Sequence, residues 1–99
     1  MTIYQLINDN GNAAANQFVI IDSENKTIYF QSYNTIIAKV NTNGKNVVLS
    51  KDWCHSTTTS KHLYMFLRNN TKYYINEKKD VVHYLKSGEF SLVEKISLV

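Results

Sequence analysis

Apolar and polar positions alternate with a period of two through the first half of the chain, and the period lengthens after Trp53. MTIYQLI (residues 1–7) reads as a short strand and NDNGNAAAN as the loop that follows it. QFVIID (Gln17 to Asp22) is a compact apolar run closed by the polar turn SENKT. TIYFQSY then places Ile28, Phe30 and Ser32 on one face and Tyr29, Gln31 and Tyr33 on the other. Alternation on either side of a short polar turn predicts a hairpin. TIIAKVN repeats the pattern, with Ile36, Ala38 and Val40 opposed to Ile37, Lys39 and Asn41. Asn43-Gly44 suits a two-residue type I′ turn, whose two central residues both need positive φ, and NVVLS returns from it.

Beyond Trp53, Leu63, Phe66 and Leu67 fall at helical spacing, and Asn69-Asn70 ends the run. KYYI reads as a short strand. NEKKDVVHYLKSGEF predicts a second helix with Asn76 as N-cap, Glu77 and Asp80 in the first turn, and Gly88 as the stop. Its inward stripe is Val81, Val82 and Leu85. FSLVEKISLV alternates again, with Phe90, Leu92, Ile96 and Leu98 on one side, and predicts a final edge strand guarded by Glu94 and Lys95. The expected fold is α+β: one domain over residues 1–99, an antiparallel meander of four to five strands packed by two helices.

Composition narrows the function classes. With 99 residues, 43% of them hydrophobic, the chain has enough apolar surface for one core and no length for a second. A net charge of +3 permits nucleic acid, but the dense basic stripe of a duplex binder is missing. The lone cysteine cannot form an intramolecular disulfide, and the first residues show neither a basic nor a long apolar signal region. No apolar run nears the roughly 20 residues that cross a bilayer. A cytoplasmic protein with no membrane partner is expected.

KDWCHSTTTSKHLYMFL (Lys51 to Leu67) concentrates the residues able to do chemistry. A cysteine nucleophile needs a base within hydrogen-bond reach, yet His55 follows Cys54 directly and would point the other way in an extended segment. Cys54, His55 and His62 lack the paired spacing of a metal site, and no glycine-rich phosphate loop exists. No enzymatic activity, metal or cofactor is therefore expected. The hydroxyl run Ser56 to Ser60 instead offers an N-cap. Lys61 and His62 would then sit in the first turn, at the positive end of the helix dipole, where an anion would suit them. The plainer alternative leaves Lys61 in solvent and packs His62 on a strand, because the dipole penalty is only about 0.3–1 kcal/mol. Seven tyrosines form the second candidate. Tyr29 and Tyr33, with Gln31 between them, share a strand face, and Lys72-Tyr73-Tyr74 pairs a cation with rings that can stack.

SYNTIIAKV (Ser32 to Val40) and the helix start TTSKHLYMFL (Thr58 to Leu67) together resemble small proteins of phages that infect low-GC Gram-positive bacteria. The matching residues are Tyr33, Asn34, Thr35, Trp53, Ser56, Thr58, Thr59, Lys61, His62, Phe66 and Leu67, within a stretch of residues 16–70. Cys54 is outside the motif. The resemblance implies a protein that binds and sterically inhibits a host macromolecule, such as a CRISPR or restriction nuclease, in the manner of an anti-CRISPR protein. The contacts are then expected from Tyr29, Gln31, Tyr33, Thr58, Thr59, Lys61, His62, Tyr64, Arg68 and Lys72. The alternative is a nucleic-acid-binding accessory protein using Lys61, Arg68, Lys72, Lys78 and Lys79. An open sheet edge also invites a homodimer.

Overall fold

The computed structural model describes residues 1–98. Strands β1 (Thr2–Ile7), β2 (Ala13–Asp22), β3 (Thr27–Ser32), β4 (Thr35–Asn41) and β5 (Val48–Ser50) are followed by helices α1 (Thr57–Asn70) and α2 (Lys78–Ser87), then β6 (Ser91–Val93). All six strands lie in one sheet in chain order. The first five form an antiparallel meander, as expected; β6 pairs parallel to β5, which makes the sheet mixed and one strand larger than expected. A parallel neighbour needs a long crossover, and the two helices supply it.

The departures from simple alternation have local causes. Ala13 to Asn16, expected in a loop, open β2; Asn16 takes φ 63° and the β1–β2 register shifts there. At Asn43-Gly44 only Gly44 has positive φ, so the turn is not type I′. Gly44 N–H donates to Asn41 O and Asn41 N–H to Lys45 O, each at 2.8 Å, closing a three-residue loop with a glycine bulge. A Cβ on Gly44 would lie 3.2 Å from Asn70 O, so the loop also needs glycine to sit against the end of α1. In β4 the register skips Ile37, since Phe30 pairs with Ala38 and Gln31 with Ile36. Ile37 and Ala38 are therefore both buried in the main core, and Ile36 faces the other way. Lys72 to Ile75 form no strand.

α1 and α2 border one continuous core. Leu63, Phe66 and Leu67 pack with Phe30, Ile37, Val40 and Leu49, and the Phe30 and Phe66 rings stack at 5.6 Å. Val81 is buried in the same core, with Val82 and Leu85 half-buried against it. Tyr73 meets Tyr84 at 4.6 Å and Phe90 at 5.0 Å, both edge-on, which accounts for two of the tyrosines as packing. α2 starts one residue later than expected, with Glu77 rather than Asn76 as its cap, because the Asp80 carboxylate accepts from the N–H of both residues. Gly88, at φ 85°, ends it as expected.

The opposite face carries a second, smaller cluster of Ile20, Tyr29 and Ile96, flanked by Ile36 and Val48. Strand β6 ends at Val93, and the following residues cross this face as an irregular strap. Phe90 and Ile96, expected side by side on one strand face, thus enter different clusters, while Leu92 and Leu98 stay exposed.

Candidate binding surface

The end of β3 and the start of α1 are fastened together by a buried hydrogen bond. Ser32 Oγ and Thr59 Oγ1 lie 2.9 Å apart, both side chains removed from solvent. Ser32 also faces Gln17 across the β2–β3 ladder. Gln17 is 0% exposed, and neither its amide oxygen nor its amide nitrogen has a partner among the described residues. This polar knot brings Tyr33, the residue after Ser32, to the same end of the molecule as the first turn of α1.

Tyr33 and Asn34 form the two-residue connection between β3 and β4. Tyr33 takes φ 56° and is 54% exposed. Its conformation is held from both sides: its N–H donates to Asn16 O at 2.7 Å, and Gln31 Nε2 donates to its carbonyl at 2.6 Å. A bulky side chain in left-handed backbone is an outlier.

The first turn of α1 is capped by Ser56, whose Oγ accepts from Thr59 N–H at 3.1 Å. No acidic residue occupies that turn. A shallow concavity opens beside it, lined by Cys54, His55, Ser56, Thr57, Ser60, Lys61 and Tyr64 from the α1 side and by Asn76 and Lys78 from the start of α2. Lys61 and Lys78 are the lysines in its lining, and the Glu77 and Asp80 carboxylates lie just behind it, close enough to act on Tyr64. Burial pushes the Tyr64 phenol above its ordinary value.

The expected site residues divide into groups. Tyr33, Thr58 and Lys61 are exposed at this end of the molecule, and Tyr64 and His62 are half-buried on α1. Tyr29, at 2% exposure, is covered by the strap and offers no surface; Thr59 is consumed in the bond to Ser32. Gln31 supports Tyr33 rather than standing beside it as a contact. His62 Nδ1–H donates to Thr58 O at 2.8 Å, one turn back in its own helix. Arg68 donates to Ile75 O at 2.6 Å and to the Asp9 carboxylate at 3.0 Å, so it braces the fold. Lys72 sits 5.6 Å over the Tyr73 ring. Cys54 is half-buried against the core, and His55 Nδ1–H donates to Asp52 O instead of to the thiol. Among the described residues no group of three histidine, cysteine or acidic side chains is placed to hold a metal.

Lys78 joins Lys61 at the concavity, two of the five cations grouped in the nucleic-acid alternative, while Asn76 enters it from the start of a different helix without having been marked as a contact. Asn34, which shares the turn with Tyr33, was visible only as part of the SYNT motif.

A family model described as a family of unknown function, DUF8033, matches residues 1–83, and the chain belongs to that family. No curated protein and no solved structure matches it. No helix among the described residues is long and apolar enough to cross a membrane.

Proposed function

We propose that this DUF8033 protein is a non-enzymatic binding protein that blocks a host macromolecule by covering part of its surface. The observation that carries this reading is Tyr33. Holding a non-glycine residue in left-handed backbone costs of order 1–3 kcal/mol. Asparagine or glycine would make the same turn at less cost. A ring that is exposed and held at a cost to stability is explained by a contact outside the chain, and tyrosine is the residue type best suited to anchor a protein interface. The two lysines at the concavity beside the start of α1 then complement an acidic patch on the partner. The phage resemblance points to a defence nuclease inside the host cell as the target.

The test is Tyr33→Asn. It is expected to raise stability by about 1 kcal/mol in chemical denaturation while weakening capture of the partner from host lysate at least tenfold. Capture by the unaltered protein is expected to survive nuclease treatment and about 200 mM salt. Undiminished capture by Tyr33→Asn would overturn the reading.

A second reading rests on the convergence of Lys61 and Lys78 on one concavity. As a nucleic-acid accessory protein, the chain would use these two lysines with exposed Lys72 and Lys79. Binding would then vanish on nuclease treatment and fall steeply between about 50 and 200 mM salt.

A further inference from the structure

The sheet has two edges. β6, at one of them, is three residues long and stands next to the Lys51–Glu94 ion pair. β1, at the other, is six residues long, and no side chain from Met1 to Asn8 is charged. Natural edges are ordinarily blunted by charge, proline, brevity or a bulge; β1 carries none of the first three, and the extra residues of the β1–β2 register shift lie on β2, between Ala13 and Phe18. Every second residue of an antiparallel edge strand turns its N–H and C=O outward. Apolar side chains gather at the same place. Ile3, Tyr4 and Ile7 are 61%, 45% and 51% exposed, and with Met1 they make four of the nine large hydrophobic residues exposed among the described residues. Ile3 pairs with Ile20 and Tyr4 with Val19, so they project from opposite faces and leave apolar surface on both sides of the edge. The strand is also held firmly at its end. Asn8 Oδ1 accepts from the N–H of Asn10 and of Asn12, each at 3.0 Å, and Arg68 grips Asp9 in the same turn.

We infer that β1 pairs antiparallel with β1 of a second copy about a twofold axis, joining two six-stranded sheets into one. A second copy fits because the twofold operation opposes strands of equal length and equal neutrality, with apolar side chains meeting apolar side chains. A foreign strand bearing lysine or glutamate would bring an unpaired charge beside Ile3 or Ile7. Pairing through one strand buries less than the roughly 1,200 Å² of a standard interface, so the dimer is reversible and grows in with concentration.

Sedimentation velocity on the full chain from about 10 μM to about 1 mM tests this. The unaltered protein is expected to pass from monomer to dimer over that range. Ile3→Lys, and independently Ile7→Glu, should remain monomeric throughout with an unchanged melting temperature, both side chains being exposed. Leu92→Lys, on the β6 edge, should dimerise like the unaltered protein. Hydrogen exchange of the β1 amides should slow as concentration rises in the unaltered protein and in Leu92→Lys, and stay constant in Ile3→Lys and Ile7→Glu. A monomer at every concentration would overturn the proposal and leave the edge to a strand of another protein. A dimer that persists in both Ile3→Lys and Ile7→Glu would overturn it equally.

Discussion

The two faces of the sheet are covered by very different amounts of structure. One meets two helices and forms a core that joins residues of β1 through β5 with Leu63, Phe66 and Leu67 of α1. The other is closed by a strap with, among the described residues, a single buried side chain, Ile96, resting on Ile20 and Tyr29. Beyond Val93 the strap has no regular structure, and its visible tether is the exposed Lys51–Glu94 pair at 2.6 Å. Burial to the same few per cent of exposure is thus reached by two routes of unequal strength. Opening the helical face requires unfolding the domain; the strap face opens by lifting one short segment. Exposure in a static structure does not distinguish these, but mutation does.

Phe66→Ala should have the largest effect, destabilising by about 3–5 kcal/mol, read as a fall in the denaturation midpoint. Ile96→Ala removes the buried side chain that seats the strap and should cost about 2 kcal/mol, at the low end of the range for such truncations. It should also make Tyr29 newly reactive to nitration, mapped by mass spectrometry, while Phe30 amide exchange stays slow. If Ile96→Ala proved as costly as Phe66→Ala, the strap would belong to the same cooperative unit as the helices, and the contrast would collapse. Gln17→Met tests the weak point of the stronger face. It replaces an unpartnered buried amide by an apolar side chain of similar size and should stabilise by about 1–3 kcal/mol. Lys51→Ala should leave the melting temperature unchanged, because an ion pair in open solvent contributes little.

Much of this was legible in the sequence. The β2–β3 hairpin, the rise of helical periodicity after Trp53, the start of α2 to within one residue and its Gly88 stop all follow from patterns within a few residues of one another. What escaped depends on partners distant in the chain. Nothing in SLV marks it as a parallel neighbour of β5, since that pairing is decided by where the helices deliver the chain. The bulge at Ile37 is invisible in TIIAKVN, where both isoleucines satisfy a strand pattern in either register. Tyr29 had the alternation of a surface residue and lost its exposure to a segment more than sixty positions away. The helix start was legible as a cap and as a cluster of hydroxyls, but its neighbours Asn76 and Lys78 arrive through tertiary packing.

Arg68 carries a practical consequence for any alanine scan of the basic residues. Its guanidinium ties α1 to the Ile75 carbonyl and to Asp9 in the β1–β2 turn, so truncating it unpins the strand that forms the open edge. Lost binding in Arg68→Ala would imitate a lost phosphate contact while reporting a loosened scaffold. Charge-retaining Arg68→Lys exposes the imitation, since a lysine still attracts phosphate but cannot hold a carbonyl and a carboxylate in one planar fork.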